Sequence, residues 1–184
     1  LVDARFSVIN VGESVSLDQT FSSDTSLVEG ALRARTVEPG ALALLKGIDD
    51  AITYTAESVD MAWTRGAVVV LTGSLDTISG PGFSYDGVSA RASALGVPVF
   101  IIGYGSGGFP KPEEEDLGGL WTISEASGGR YIPGVAPVYA EHIIPAVVES
   151  VGRSYEACVE AMVLPDGSDY AGTGDILRMK VDVE

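Results

Sequence analysis

Cysteine is nearly absent: Cys158 stands alone among 184 residues, so no disulfide can close within the chain. It lies in the apolar pattern of a strand and reads as a small packing residue, with an interchain bridge or a reactive thiol as the other readings. Histidine is equally scarce. His142, the single one, falls in the helical stretch AEHIIPAVVES, where Pro145 marks a first turn or a kink. No Gly-x-Ser-x-Gly elbow supplies a nucleophile beside it, so a hydrolase triad lacks its parts. Bases are few, 11 against 26 acids, for a net charge of −15. So acidic a surface repels phosphate backbones and excludes nucleic acid as a partner. No apolar run reaches the roughly eighteen residues of a membrane-spanning helix. No charged-then-apolar leader stands at the start. The chain opens on Leu1 rather than Met, which suggests a processed or incomplete start.

What is present is a 46% hydrophobic chain with 23 glycines, long enough for one substantial core or one domain plus a small appendage. Arg5 to Val11 alternates apolar and polar residues and reads as a strand, and Ser14 to Phe21 as its hairpin partner across Gly12-Glu13. Ser22-Ser23-Asp24 offers helix caps before SLVEGALRA, and Glu38-Pro39-Gly40 breaks the chain. The apolar spacing of Leu44, Leu45, Ile48, Ala51 and Ile52 predicts a helix over Ala41 to Thr55. Ala67 to Leu71 (AVVVL) and Val97 to Gly103 (VPVFIIG) are continuously apolar, the signature of strands buried on both faces. Between them Tyr85 to Leu95 reads as a helix ending at Gly96. A further helix over Asp116 to Ala126, a strand from Arg130 to Ile132 and a last helix over Ala140 to Val151 complete the series.

This strand–helix rhythm means parallel βαβ crossovers. The expected fold is α/β, a doubly wound, mostly parallel sheet with helices on both faces, over residues 1–151. From Ser154 the pattern alternates on both sides of Pro165-Asp166-Gly167-Ser168-Asp169, so 152–184 is expected to be an antiparallel β-hairpin, an edge or the start of a small β-sandwich. Loop chemistry is modest. Gly103-Tyr104-Gly105-Ser106-Gly107-Gly108 lacks the Gly-Lys-Ser/Thr ending of a phosphate loop, and Glu113 to Asp116 would repel phosphate. The spacing of Asp166, Asp169 and Asp175 does not match a calcium loop. Trp63 and Trp121 read as core or interface anchors.

Four ordered stretches resemble the von Willebrand factor A family. DARFSVINVGESVSLDQTFSSDTSLVEGAL is similar to its second and third strands and the following helix. PGALALLKGIDDAI resembles the segment that opens the next helix. RGAVVVLTGSLD resembles the fourth strand and its loop. GVPVFIIGYGSG with LWTISEASGGRYI resembles the fifth strand, helix and sixth strand, the most specific of the four. The closing hairpin resembles, more loosely, the β-segment that follows this domain in secreted bacterial proteins. The resemblance implies that the family's first strand, which lies between its second and fourth, is supplied from outside these residues. Alternatively RFSVINV is itself that first strand, with Asn10, Gly12 and Ser14 as a degraded Asp-x-Ser-x-Ser.

The family holds a divalent cation through hydroxyls and carboxylates from three loops, a set suited to a hard ion. Here Ala41 follows Gly40 where a threonine is expected, and Gly73 follows Thr72 where an aspartate is expected. Ser74 and Asp76 are the remaining weak candidates. The site therefore reads as dismantled, with no cofactor expected and Mg or Ca the outside possibility. The expected function is a non-enzymatic interaction, adhesion or assembly module, extracellular or in the cell envelope, with a protein partner. Binding would use the rim at the carboxyl ends of the strands: Gly40, Ala41, Thr72, Gly73, Ser74, Asp76, Phe83, Tyr104 and Phe109, with Tyr85 as a further exposed aromatic. The other reading is a metal-dependent regulatory subunit that works with an ATPase.

Overall fold

The computed structural model describes residues 4–34, 41–58, 66–104 and 118–135, together with Ile143, Ala146 and Val147. Strand β1 (Phe6–Val11) and strand β2 (Val15–Ser22) form the expected antiparallel hairpin, with Val11 opposite Val15 and Ile9 opposite Leu17. Helix α1 (Thr25–Arg33) follows, capped as the sequence suggests: the Asp24 carboxylate accepts from the Ser26 amide at 2.9 Å. The amide and hydroxyl of Ser26 hold that carboxyl below its usual range. Helix α2 (Leu44–Ser58) has the length of the predicted segment but starts and ends three residues later.

The next elements alternate. Strand β3 (Val68–Thr72), helix α3 (Tyr85–Leu95), strand β4 (Val99–Tyr104), helix α4 (Gly118–Ser127) and strand β5 (Tyr131–Val135) form two successive βαβ units. Their strands make a parallel sheet in the order β3–β4–β5, with Val68 beside Val99 and Ile101 beside Tyr131. Strands laid side by side in one direction through right-handed crossovers place both connecting helices on the same face. The core agrees. Val68, Val99, Ile101 and Tyr131 point to one side, where Ile48 and Ile52 of α2, Val88 and Ala92 of α3, and Leu120 and Ile123 of α4 meet them. Phe100, Ile102 and Ile132 alternate to the other side and pack against Ile143 and Val147, the described part of the expected last helix.

Two joints explain why this packing is tight. Gly96 ends α3 in the left-handed region at φ 65°, as the sequence suggests. At Gly129 a Cβ would lie 2.0 Å from the Val99 carbonyl oxygen, so only glycine lets the turn before β5 close on β4.

The structure corrects one expectation. The run AVVVL is not buried on both faces: Val68 and Thr72 are buried, but Val69 is 37% and Leu71 48% exposed. The reason is positional. On their face of the sheet the described residues Ile143 and Val147 cover β4, while β3 is the edge strand beyond that cover. For the sheet, the expectation of an α/β fold holds. The described strands form two sheets, a hairpin and a parallel three-strand sheet, with α2, α3 and α4 all on one face. The described architecture is mixed α/β. Between β1 and β3 runs a cleft of about 250 Å³, walled by the two strands and floored by α2. Cys158, His142, Pro145, Trp63, residues 105–115 and the expected 152–184 hairpin lie outside the described residues.

Candidate functional site at the carboxyl ends of the strands

Strands β3 and β4 end at Thr72 and Tyr104, and the chain leaves both on the same rim because they run parallel. The loop after β3 is built outward from Thr72. Its buried hydroxyl donates to the Ser74 carbonyl at 2.6 Å and accepts from the Ser74 amide at 3.2 Å, which turns the chain sharply at Gly73. Gly73 and Ser74 are exposed at the tip.

The loop then crosses to the start of α2. That helix begins with Ala43 before Leu44, so its first turn has no side-chain acceptor of its own for the free amides. The loop supplies them from about thirty residues away. The Asp76 carboxylate accepts from the Leu45 amide at 3.0 Å, and the Ser79 hydroxyl accepts from the Lys46 amide at 2.9 Å while donating to Asp76. The Thr77 amide donates to the Leu42 carbonyl at 2.8 Å, and its hydroxyl accepts from the Leu42 amide at 2.6 Å. A carboxylate at a helix N-terminus also meets the positive end of the helix dipole. The hairpin joins the same knot, since the Ala43 amide donates to the Gly12 carbonyl at 2.9 Å.

Ala41, Thr72, Gly73, Ser74 and Asp76 lie along the loops that leave β3 and lead into α2. Phe83 and Tyr85 behave differently: both are half-buried against the core, so they brace the rim instead of projecting as free aromatics. A Cβ on Gly119 would lie 2.3 Å from the Tyr85 ring, and burial with the nearby Asp76 charge pushes the Tyr85 hydroxyl up. Tyr104 is described as the last residue of β4, whereas Gly40 and Phe109 lie outside the described residues. Sequence reading missed Thr77 and Ser79. Their signal was a helix opening on ALALL with no cap, matched by an Asp-Thr-x-Ser cluster far along the chain.

As a cation site the described donors fit poorly. A hard dication needs several free oxygens. Ala41 and Gly73 offer no side-chain oxygen, and Asp76, the one carboxylate of the loop, is already committed to Leu45 and Ser79. Among the described residues no three His, Cys, Asp or Glu side chains converge. No described helix is long and apolar enough to cross a membrane.

No known protein-family model matches the chain, and no curated protein matches it. Among solved structures it is similar to the conserved hypothetical protein BatB from Bacteroides thetaiotaomicron. The TM-score is 0.56 at 16% identity, over 82% of this chain and 80% of that one. At that identity the likeness shows the fold alone. An uncharacterized membrane spanning protein from Vibrio fischeri aligns at a TM-score of 0.36 and 15% identity, over 79% of this chain and 75% of that one, too loosely to carry an argument.

Proposed function

We propose that this chain is a protein-interaction module of the von Willebrand factor A type, not an enzyme, which binds through the rim at the carboxyl ends of β3 and β4. One observation carries the reading. The loop from Thr72 to Ser79 is fastened to α2 and the residues just before it by bonds from Asp76 to Leu45, from Ser79 to Lys46 and from Thr77 to Leu42. Its tip nevertheless presents Gly73, Ser74 and the 44% exposed Ile78 to solvent. A loop held rigid before binding loses little freedom on contact, which favours recognition by shape and a small apolar anchor. The rim works in this reading without a resident cation, and its expected setting is adhesion or complex assembly outside the cell or in the envelope. Fold alone does not assign a function, so the rim has to be tested directly.

The test places a photo-crosslinking residue at Ile78 and, as a control, at exposed Glu29 of α1 in cells making the protein. A discrete crosslinked partner at position 78, absent at position 29 and lost on Ser74→Arg, supports the reading. Equal crosslinking at both positions overturns it. The second reading, a metal-dependent regulatory subunit of an ATPase, has Ser74 in its favour as an exposed hydroxyl beside Thr72. It requires that the same crosslink vanish on chelation and return with Mg²⁺.

A further inference from the structure

Helix α2 begins with amides that no earlier turn of the helix can satisfy. The first bond within the helix runs from the Gly47 amide to the Ala43 carbonyl at 2.9 Å. Of the amides before it, those of Leu45 and Lys46 donate to Asp76 and Ser79 of the rim loop, at 3.0 and 2.9 Å. The Ala43 amide goes elsewhere, to the Gly12 carbonyl in the β1–β2 turn at 2.9 Å. One helical turn is thus capped by two distant segments, one from the rim and one from the hairpin.

Each segment holds α2 at further points. The Leu42 carbonyl accepts from the amides of Thr77 and Ile78 at 2.8 and 3.3 Å, so the exposed Ile78 is one bond from the helix start. On the hairpin side Val11 closes on Gly47, where a Cβ would lie 2.4 Å from a Val11 methyl, and Phe21 stacks on Tyr54. What the loop and the hairpin share is the first turn of α2. Its bonds are of a kind that opens locally. Asp76 and Ser79 are half-buried and Thr77 is exposed, so water can replace them, and no residue of 4–34 is buried. A released form, with the Leu45 and Lys46 amides turned to solvent, is within reach of a binding event.

We infer that the loop from Thr72 to Ser79 is a latch on α2 that couples the rim to the β1–β2 hairpin. Closed, it orders the first turn of α2 and so holds the Ala43 amide in place for Gly12. Open, it frees Leu45 and Lys46, the turn frays, and the hairpin loses its bond at Gly12. A partner that grips the ordered loop at Ile78 favours the closed form and steadies the hairpin. That last step rests on the rim reading above, whereas the latch itself does not. Coupling in free energy is reciprocal, so a loosened hairpin weakens the partner's grip.

The test follows amide hydrogen exchange in the whole 184-residue chain. Asp76→Ala speeds exchange at Leu45, as the loss of any acceptor would. The deciding amides are Ala43, bonded to Gly12, and Gly12, bonded to Ser14. Both speed up about fivefold, the effect of one lost bond, while Ile102 of β4 is unchanged. From the other end, Phe21→Ala speeds exchange at Leu45 and Lys46 severalfold. Should Asp76→Ala not fold, Ser79→Ala, which removes the Lys46 acceptor, is read the same way. Faster exchange confined to Leu45 and Lys46, or a rise at Ile102 equal to that at Ala43, overturns the latch. So does Phe21→Ala without effect at Leu45 and Lys46. For the partner, Phe21→Ala lowers the crosslinking yield at position 78 severalfold, and an unchanged yield overturns the coupling to binding. No crosslink in the unaltered chain sinks the proposed rim function alone, and the exchange rates still decide the latch.

Discussion

The two sides of the cleft differ sharply. On the β3–β4–β5 side, Val99, Ile101, Ile102 and Ile123 have no exposed surface at all. On the hairpin side, residues 4–34 contain not one buried residue, and Leu17, Leu27 and Leu32 are each 45% exposed or more. Both regions have apolar residues at sound spacing, so composition does not make the difference. Neighbours do. Among the described residues, β4 has a strand on each side and packing on each face, whereas β1 pairs with one strand and touches α2 chiefly where Gly47 admits Val11.

Several substitutions break or sharpen that contrast. The largest effect belongs to the complete side: Ile101→Ala removes a fully buried side chain from the middle strand and lowers stability by about 2–5 kcal/mol. Ile9→Ala in half-buried β1, measured by the same urea unfolding, loses under about 1 kcal/mol. Equal losses would end the comparison. Asp76→Ala comes next, because it strips the Leu45 amide of its acceptor and releases Ser79. The expected cost is about 1–2 kcal/mol, with faster exchange at Leu45.

Phe21 of β2 stacks on Tyr54 of α2, ring centres 5.4 Å apart, and is the main aromatic tie from the hairpin to the rest. Phe21→Ala costs about 1 kcal/mol, and hydrogen exchange rises across β2 while β4 is unchanged. A rise in β4 as well would show the two sides to be one cooperative unit.

The smallest effect is a pH dependence. Asp49 of α2 is paired with Arg91 of α3 at 2.7 Å, yet desolvation outweighs that partner and raises its carboxyl above the usual 3.8. The folded state then binds the proton more tightly than the unfolded chain. Stability from this group is greatest below 3.8 and is lost as pH rises through the folded value. Asp49→Asn flattens the stability profile in that interval, and an unchanged slope would place the titration elsewhere.

Much of the fold was legible because it is local. Helix α3 was placed to the residue, since Ser84 caps Gly87 and Gly96 takes the left-handed turn. The β3, β4 and β5 strands were found within a few residues, because continuous apolar runs between glycines leave little choice. What could not be read was relational. Nothing in AVVVL says that Val69 and Leu71 stay exposed, because that depends on which strand Ile143 and Val147 cover. Phe83 and Tyr85 read as exposed aromatics because loop position hid their contact with the core. The Asp76 cap joins segments thirty-one positions apart, and no periodicity links them.

The measurement that bears most directly on this account is residue-resolved hydrogen exchange along β3 in the chain by itself. Alternation is the prediction: Val70, whose amide faces β4, exchanges slowly, while Val69 and Leu71, whose amides face the cleft, exchange fast. Equal protection at all three would mean that the edge is already paired, and that the contrast between the two halves is not a property of the protein.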